Sequence, residues 1–146
     1  PKVGNIMIDE ATGRGTCIVD LDTVQPGLVH YDIGDAMRSV CNPAGEDASE
    51  LGSVIFDLEL FSMIYRGYQA HAKDFLSPAD HRHLFDCIHL IPLELGIRFL
   101  ADHLAGDVYF KVRYPGHNLR RALVQFKLAE SIEARETSIR KVLGES

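Results

Sequence analysis

The sequence has 146 residues, a length that suits one domain or part of a larger one. Its 15 Lys and Arg against 21 Asp and Glu leave a net charge of −6, so no basic stripe argues for nucleic-acid binding. With 46% hydrophobic and 25% charged residues the composition is globular, which excludes a disordered chain, a collagen or a coiled coil. No run of about 18 apolar residues predicts a membrane span, and the first residues lack the pattern of a signal sequence. Cys17, Cys41 and Cys87 are an odd number without metal spacing and read as reduced, part-buried thiols of a cytoplasmic protein.

Asn5–Asp9 reads as a short apolar strand, and Glu10–Gly15 as a turn with two glycines. Thr16–Leu21 reads as a second strand rich in β-branched residues, which completes a β-hairpin. Beyond Gly27 the pattern turns helical. Asp32 is placed to cap a helix running to about Cys41, and the stretch 42–47 is a loop by composition. Phe61, Ile64, Tyr65 and Tyr68 share one helical face, with Asp57 as its cap. Ser77-Pro78-Ala79-Asp80 is a helix start, and the helix behind it carries Leu84, Phe85, Ile88, Ile91, Leu95, Phe99 and Leu100. Pro92 predicts a kink or break within it. A last helix starts near Asn118, with Leu119, Ala122, Leu123 and Phe126 on one face, and ends before Gly144. The expected class is α+β and mostly helical: one N-terminal hairpin followed by four or five helices.

The sharpest chemical feature is Asp20-Leu21-Asp22 at the end of an apolar strand. Two acids there are costly to bury, but they suit an opening where a divalent cation sits. Mg²⁺ takes hard oxygen ligands and keeps several waters, and Asn5 on the paired strand adds an amide oxygen. The same residues also read simply as the end of a strand. Two enzyme templates use such a strand. Asp20-Leu21-Asp22-Thr23-Val24 matches the nucleophile strand of aspartyl-phosphate phosphatases, but that chemistry needs an alternating parallel sheet, and the residues after Val24 are almost all helical in pattern. In the protein-kinase core, a catalytic Asp is followed five residues later by a metal-binding Asn, and a further Asp on a nearby strand holds Mg²⁺. Lys2 and Asn5 stand second and fifth after the position that would precede Pro1.

In these residues the chain resembles the aminoglycoside-phosphotransferase-like small-molecule kinases. Pro1-Lys2-Val3-Gly4-Asn5 looks like the tail of their His-x-Asp-x-Lys-x-x-Asn loop. The stretch from Ile18 to Gly27 is similar to the metal-binding strand of the N-acetylhexosamine 1-kinase branch, and Tyr31–Ser39 to the helix next to it in that branch. Glu94–Leu100, Gly106–Val112 and His117-Asn118-Leu119 extend the likeness over nearly the whole chain.

The resemblance implies the C-terminal, acceptor- and metal-binding lobe of a protein-kinase-like fold, spanning residues 1–146. The intact enzyme would move the γ-phosphoryl of ATP to the anomeric hydroxyl of an N-acetylhexosamine. Asn5 and Asp20 would hold Mg²⁺, with Asp22 assisting, and Lys2 would lie beside the transferring phosphoryl group. Asp32 would be a buried acid bracing the catalytic loop. Arg98 and Tyr109 would bind the sugar, and Asp35 and Arg38 would form an ion pair near the same wall. Read from the residues alone, Asp32 also suits a helix cap, Arg98 a pair with Asp102, and Tyr109 ordinary core. His117 suits a cap or an exposed position, and no His spacing makes a zinc site.

The first residue is Pro1 rather than Met, and the catalytic Asp and the ATP lobe of the family have no counterpart in the sequence. The expectation is therefore a fragment, inactive by itself, with apolar surface where the ATP lobe docks and a tendency to self-associate. Other acceptors (an aminoglycoside, choline or homoserine) and a non-catalytic kinase-like binding module are the competing readings. Neither nucleic acid nor membrane is an expected partner.

Overall fold

The computed structural model describes residues 3–22, 24–72 and 74–145; Lys2, and with it the expected phosphoryl contact, lies outside the described residues. After a 3₁₀ turn at Val3–Asn5, strand β1 (Ile6–Ile8) pairs antiparallel with β2 (Gly15–Ile18), Ile6 opposite Ile18 and Met7 opposite Cys17. The strands are shorter than expected, because the Asp9 carboxylate accepts from both the amide and the hydroxyl of Thr12 at 2.7 Å and closes the turn early. Pairing nevertheless reaches past the strand ends, since the Val19 amide donates to the Asn5 carbonyl at 2.9 Å. Both strands are exposed along their whole length, so the hairpin stands outside the core.

Helix α1 (Val29–Val40) begins three residues before Asp32, with Leu28 at the cap position, so Asp32 lies in the first turn rather than capping it. Helix α2 (Leu58–Ala72) starts as expected: the Asp57 carboxylate accepts from the amides of Glu59 and Leu60 at 2.9 and 3.0 Å. Phe61 and Tyr65 on its inner face are wholly buried, each contributing about 1.5–3 kcal/mol by leaving water.

Helix α3 (Pro78–His81) opens with the reciprocal Ser77–Asp80 capping box. It is not the start of one long helix. The chain closes α3 with a turn in which the His83 amide donates to the Asp80 carbonyl, and restarts as α4 (Leu84–Leu104). Of the kink or break expected at Pro92, the break is absent: α4 runs through the buried proline as one helix. The last predicted helix is also two: α5 (His117–Glu133) and α6 (Glu136–Leu143). They part at Ala134–Arg135, where Ser131 is held by tertiary bonds, its hydroxyl accepting from the Phe56 amide at 2.9 Å and from Arg135 at 2.8 Å. Gly144, at φ +82°, ends α6 as expected. Six α-helices thus stand among the described residues, where four or five were expected.

The core lies between α1, α2, α4, α5 and α6 and is filled by Phe56, Phe61, Tyr65, Ile88, Leu128 and Ile139 among others. The face of α5 differs from expectation. Leu119 and Leu123 are exposed, while His117, Asn118 and Gln125 turn inward with Val124 and Leu128. Two glycines set the helix spacing. A Cβ on Gly34 of α1 would lie 2.6 Å from Ile91 of α4, and one on Gly96 of α4 2.6 Å from the Phe126 ring of α5. Gly67 of α2 has nothing within 4 Å of such a carbon. Gly67→Ala is therefore expected to stabilise the fold by about 0.5–1 kcal/mol through helix propensity alone, a rise readable in a urea midpoint.

Candidate active site

A cleft of about 620 Å³ opens between the end of the hairpin and the first turns of α1, and Asn5, Asp20, Asp32 and Asp35 all line it. The strand pairing puts Asn5 beside Val19 and Asp20, and the Asn5 amide nitrogen donates to Asp20 Oδ2 at 3.2 Å. Asp20 has φ +59°, a left-handed backbone that Asp and Asn tolerate better than other side chains. That turn carries the chain out of the strand with the carboxylate at the hairpin's end. Asp22 does not line the cleft. Asp32 is exposed within it and is not the buried acid expected of it.

Among the described residues the cleft lining carries three carboxylates and no Lys or Arg, with Asp35 paired from behind to Arg38 at 2.7 Å. A field of one sign in a concave site draws cations. A carboxylate and an amide oxygen are the hard donors that Mg²⁺ prefers, and rotating the Asn5 amide would turn its oxygen towards the position the nitrogen now faces. The pair thus suits a partly hydrated Mg²⁺. No group of three or more His, Cys, Asp or Glu side chains among the described residues is arranged to cage a metal.

Behind the cleft lies a charged seam. The Arg38 guanidinium, 5% exposed, binds Asp35 at 2.7 Å and Glu46 at 3.4 Å, so the expected Asp35–Arg38 pair exists but is buried on the Arg38 side and shared with a third residue. Arg121 of α5 reaches both Glu46 and Asp47, at 3.5 and 3.2 Å. His117 is wholly buried, neither exposed nor a cap. Its Nδ1 accepts from the Arg113 amide at 3.2 Å, which leaves the proton on Nε2 to be donated to Asp47 Oδ1 at 2.8 Å. Partial burial pulls the Asp47 carboxyl upward, but the bonds from His117 and Arg121 outweigh it and hold the group below its ordinary value. A depressed carboxylate stabilises the fold above its unfolded value near 4 and loses that contribution as pH falls through the folded one. Asp47→Asn should therefore lower Tm at pH 7, with the gap to the parent closing as pH falls below the ordinary carboxylate range; a gap that is constant with pH would refute this linkage.

Arg98 and Tyr109 are brought together on a different surface. Arg98 projects from α4, its Cζ 6.0 Å from the Tyr109 ring centroid and 5.4 Å from that of Phe110, distances at which a guanidinium is attracted to a ring face. Tyr109 is 73% exposed and so is not core. The charged partner of Arg98 is Glu94, at 3.6 Å, not Asp102. Asp102 is instead buried and occupied by the backbone: its carboxylate accepts from the amides of Val108, Tyr109 and Phe110 and from Asn118. Burial raises the Asp102 carboxyl, and the three amides more than reverse this and keep it below the ordinary carboxylate range. Neither Arg98 nor Tyr109 lines the acidic cleft.

Burial pushes the Cys41 thiol up to about 12 and the Cys87 thiol up to about 11, and all three cysteines are free, Cys17 on the surface. Among the described residues no helix is long and apolar enough to cross a membrane. Asp47, Asp102, His117 and Asn118 carry the polar architecture and escaped the sequence reading as partners of one another. For Asp102 the one local signal was an acid in the mostly apolar second half of α4; Asp47 in its loop and His117-Asn118 at the start of α5 carried none.

Compared with known families, residues 1–63 match the family model of the APH phosphotransferase enzymes. The matched segment contains the hairpin, α1, Asn5, Asp20 and Asp32; Arg98 and Tyr109 lie beyond it. This supports an aminoglycoside-phosphotransferase-like, kinase-like character for that part of the chain. The phosphatase template finds no support in the fold, because the sheet among the described residues is a single two-stranded hairpin rather than a parallel α/β sheet.

Proposed function

We propose that this chain supplies the metal- and acceptor-binding part of an ATP-dependent phosphotransferase whose acceptor is the anomeric hydroxyl of an N-acetylhexosamine. The observation that carries the reading is the Asn5–Asp20 bond at 3.2 Å in an acidic cleft, inside the segment that matches the phosphotransferase family. Asn5 and Asp20 are the residues that would hold Mg²⁺, and the ion would offset charge on the ATP phosphates as the γ-phosphoryl departs. Asp32 adds negative potential to the same cleft and favours a cation there, whereas the charge of Asp35 is offset by its pair with Arg38. Lys2 would lie beside the transferring group. Phosphoryl transfer needs little covalent chemistry from protein, so the contribution of these side chains is positioning and charge.

Arg98 and Tyr109 are proposed to receive the sugar. Arg98 offers five N–H donors to hydroxyl or acetamido oxygens, and the exposed Tyr109 ring offers a stacking face and a hydroxyl. Because Arg98 is exposed and pairs only loosely with Glu94, its removal should cost little stability. Arg98→Ala in the intact enzyme is expected to raise the sugar KM by about ten- to a hundredfold, the worth of a charged hydrogen bond, with the ATP KM unchanged. An unaltered sugar KM would remove Arg98 from the site.

The test of the reading is ³¹P NMR of the intact gene product with ATP, Mg²⁺ and N-acetylglucosamine or N-acetylgalactosamine. A sugar 1-phosphate resonance is the expected result. ATP consumption only with an aminoglycoside, choline or homoserine would move the acceptor, and no turnover with any of them would favour a non-catalytic binding module.

A further inference from the structure

We propose that Asp102 is the positioning residue of the acceptor surface: its carboxylate folds residues 107–110 onto the end of α4 and so sets the Tyr109 ring beside Arg98. The inference rests on the reading of Arg98 and Tyr109 as acceptor residues.

The local geometry builds this from the helix end outward. Helix α4 stops where the Gly106 amide donates to the His103 carbonyl at 3.2 Å and the Asp107 amide donates to the Asp102 carbonyl at 2.8 Å. Gly106 at φ +96° and Asp107 at φ +59° turn the chain back over the last turn. The next three amides then point at one carboxylate. Asp102 Oδ1 accepts from Val108 at 3.0 Å and Tyr109 at 2.8 Å, and Oδ2 accepts from Phe110 at 2.9 Å. Asn118, at the start of α5, donates to the same Oδ2 at 2.9 Å and to Asp107 Oδ1 at 2.9 Å, tying the turn to the next helix.

What this carboxylate holds is unusual for a stabilising device. Residues 108–110 belong to no helix or strand, and the side chains of Val108 and Tyr109 are 78% and 73% exposed. The three amides bond to a carboxylate only 6% exposed, which has to be desolvated to serve them. Burying a charge to fix a segment that buries so little of its own side chains is accounted for by the geometry it imposes. With the three amides fixed, the Phe110 ring packs on Phe99 at 4.6 Å and Tyr109 crosses Phe110 edge-on at 4.8 Å, which leaves the Tyr109 ring 6.0 Å from the Arg98 guanidinium. A ligand that uses both side chains then meets a surface already assembled, and the ordering cost on binding falls.

The experiment compares the parent with Asp102→Asn, which keeps the shape but leaves one acceptor oxygen for donors that now use two. In NMR of this chain, the expected result is loss of exchange protection at the amides of 108–110, and movement of the Arg98 side-chain resonances towards exposed-arginine values as the ring currents of Tyr109 and Phe110 leave. In the intact enzyme, the KM for N-acetylglucosamine should rise about tenfold or more while kcat at saturating sugar and the ATP KM stay within twofold. A merely structural role would lower apparent kcat or raise both KM values together without this split, or change nothing. Unchanged Arg98 resonances in a folded variant would overturn the proposal, as would an unchanged sugar KM in an active one. If the variant does not fold, the parent decides: scalar couplings across the hydrogen bonds, from the 108–110 amide nitrogens to the Asp102 carboxyl carbon, are expected, and their absence overturns it. If the parent phosphorylates no N-acetylhexosamine, the acceptor assignment falls while the NMR comparison still judges the clamp.

Discussion

Gly34→Val is expected to force α1 away from α4 and to lower Tm by roughly 10 °C. The position leaves no room even for one carbon. A Cβ there would sit 2.6 Å from Ile91 Cγ1, 3.0 Å from the Cys87 carbonyl oxygen and 3.2 Å from Cys87 Sγ. Ile91 could rotate, but the carbonyl belongs to the α4 backbone, whose position is set by the core on its other side. Extra methylenes in a packed interior cost about 1–3 kcal/mol, and a branched residue against a backbone atom should reach about 3 kcal/mol or more. The shift would also disturb the Cys87 thiol, which donates to the His30 carbonyl at 2.6 Å. Because Asp32 and Asp35 sit on the same helix, displacement of α1 would also reshape the cleft wall. Thermal denaturation of the chain checks this; a Tm within about 2 °C of the parent would show that the α1–α4 contact is not tight. Gly67→Ala, on a helix with open space, is expected to move stability the opposite way.

Asp20→Asn should leave the fold intact and lower phosphoryl transfer by the intact enzyme on the order of a hundredfold or more, the scale seen when one preorganised electrostatic group is lost from an active site. Asparagine accepts the left-handed backbone at φ +59° as readily as aspartate does, and its oxygen can still accept from Asn5. Asp20 is exposed, so the change removes a charge rather than packing, and stability should stay within about 0.5 kcal/mol. The pairing of an unchanged melting curve with a collapsed kcat is what distinguishes a metal-binding role from a strand-ending one. Asp22→Asn, two residues on and outside the cleft lining, should have a much smaller effect. Equal activity for Asp20→Asn and the parent would leave Asp20 as an ordinary turn residue and withdraw the Mg²⁺ assignment.

Local signals were read correctly where the deciding interaction is itself local. The Asp57 cap, the Ser77–Asp80 box and the Gly144 stop each involve side chains and amides a few residues apart, and each is present. The convergence of Asn5 and Asp20 was legible for a related reason: hairpin pairing makes residues fifteen apart in sequence into neighbours. The break after His81 and the break at Ala134 were not legible. The second depends on Ser131 meeting the Phe56 amide, a contact across 75 residues. Pro92 does not break α4: it removes one helical hydrogen bond, and burial of α4 between α1 and α5 keeps the helix continuous without it.

By itself the sequence determined the α+β class, the order of hairpin and helices, and the acids at the hairpin's end, because periodicity, capping and strand pairing are short-range properties of the chain. The tertiary structure alone decided which polar groups work together. It put Asp32 in an open cleft instead of the interior, and turned Asp102 away from Arg98 towards three backbone amides. It also buried His117 against Asp47 across seventy residues. A buried charge settles wherever the fold offers enough donors to replace its lost water, and those donors come from segments whose proximity no spacing along the chain encodes.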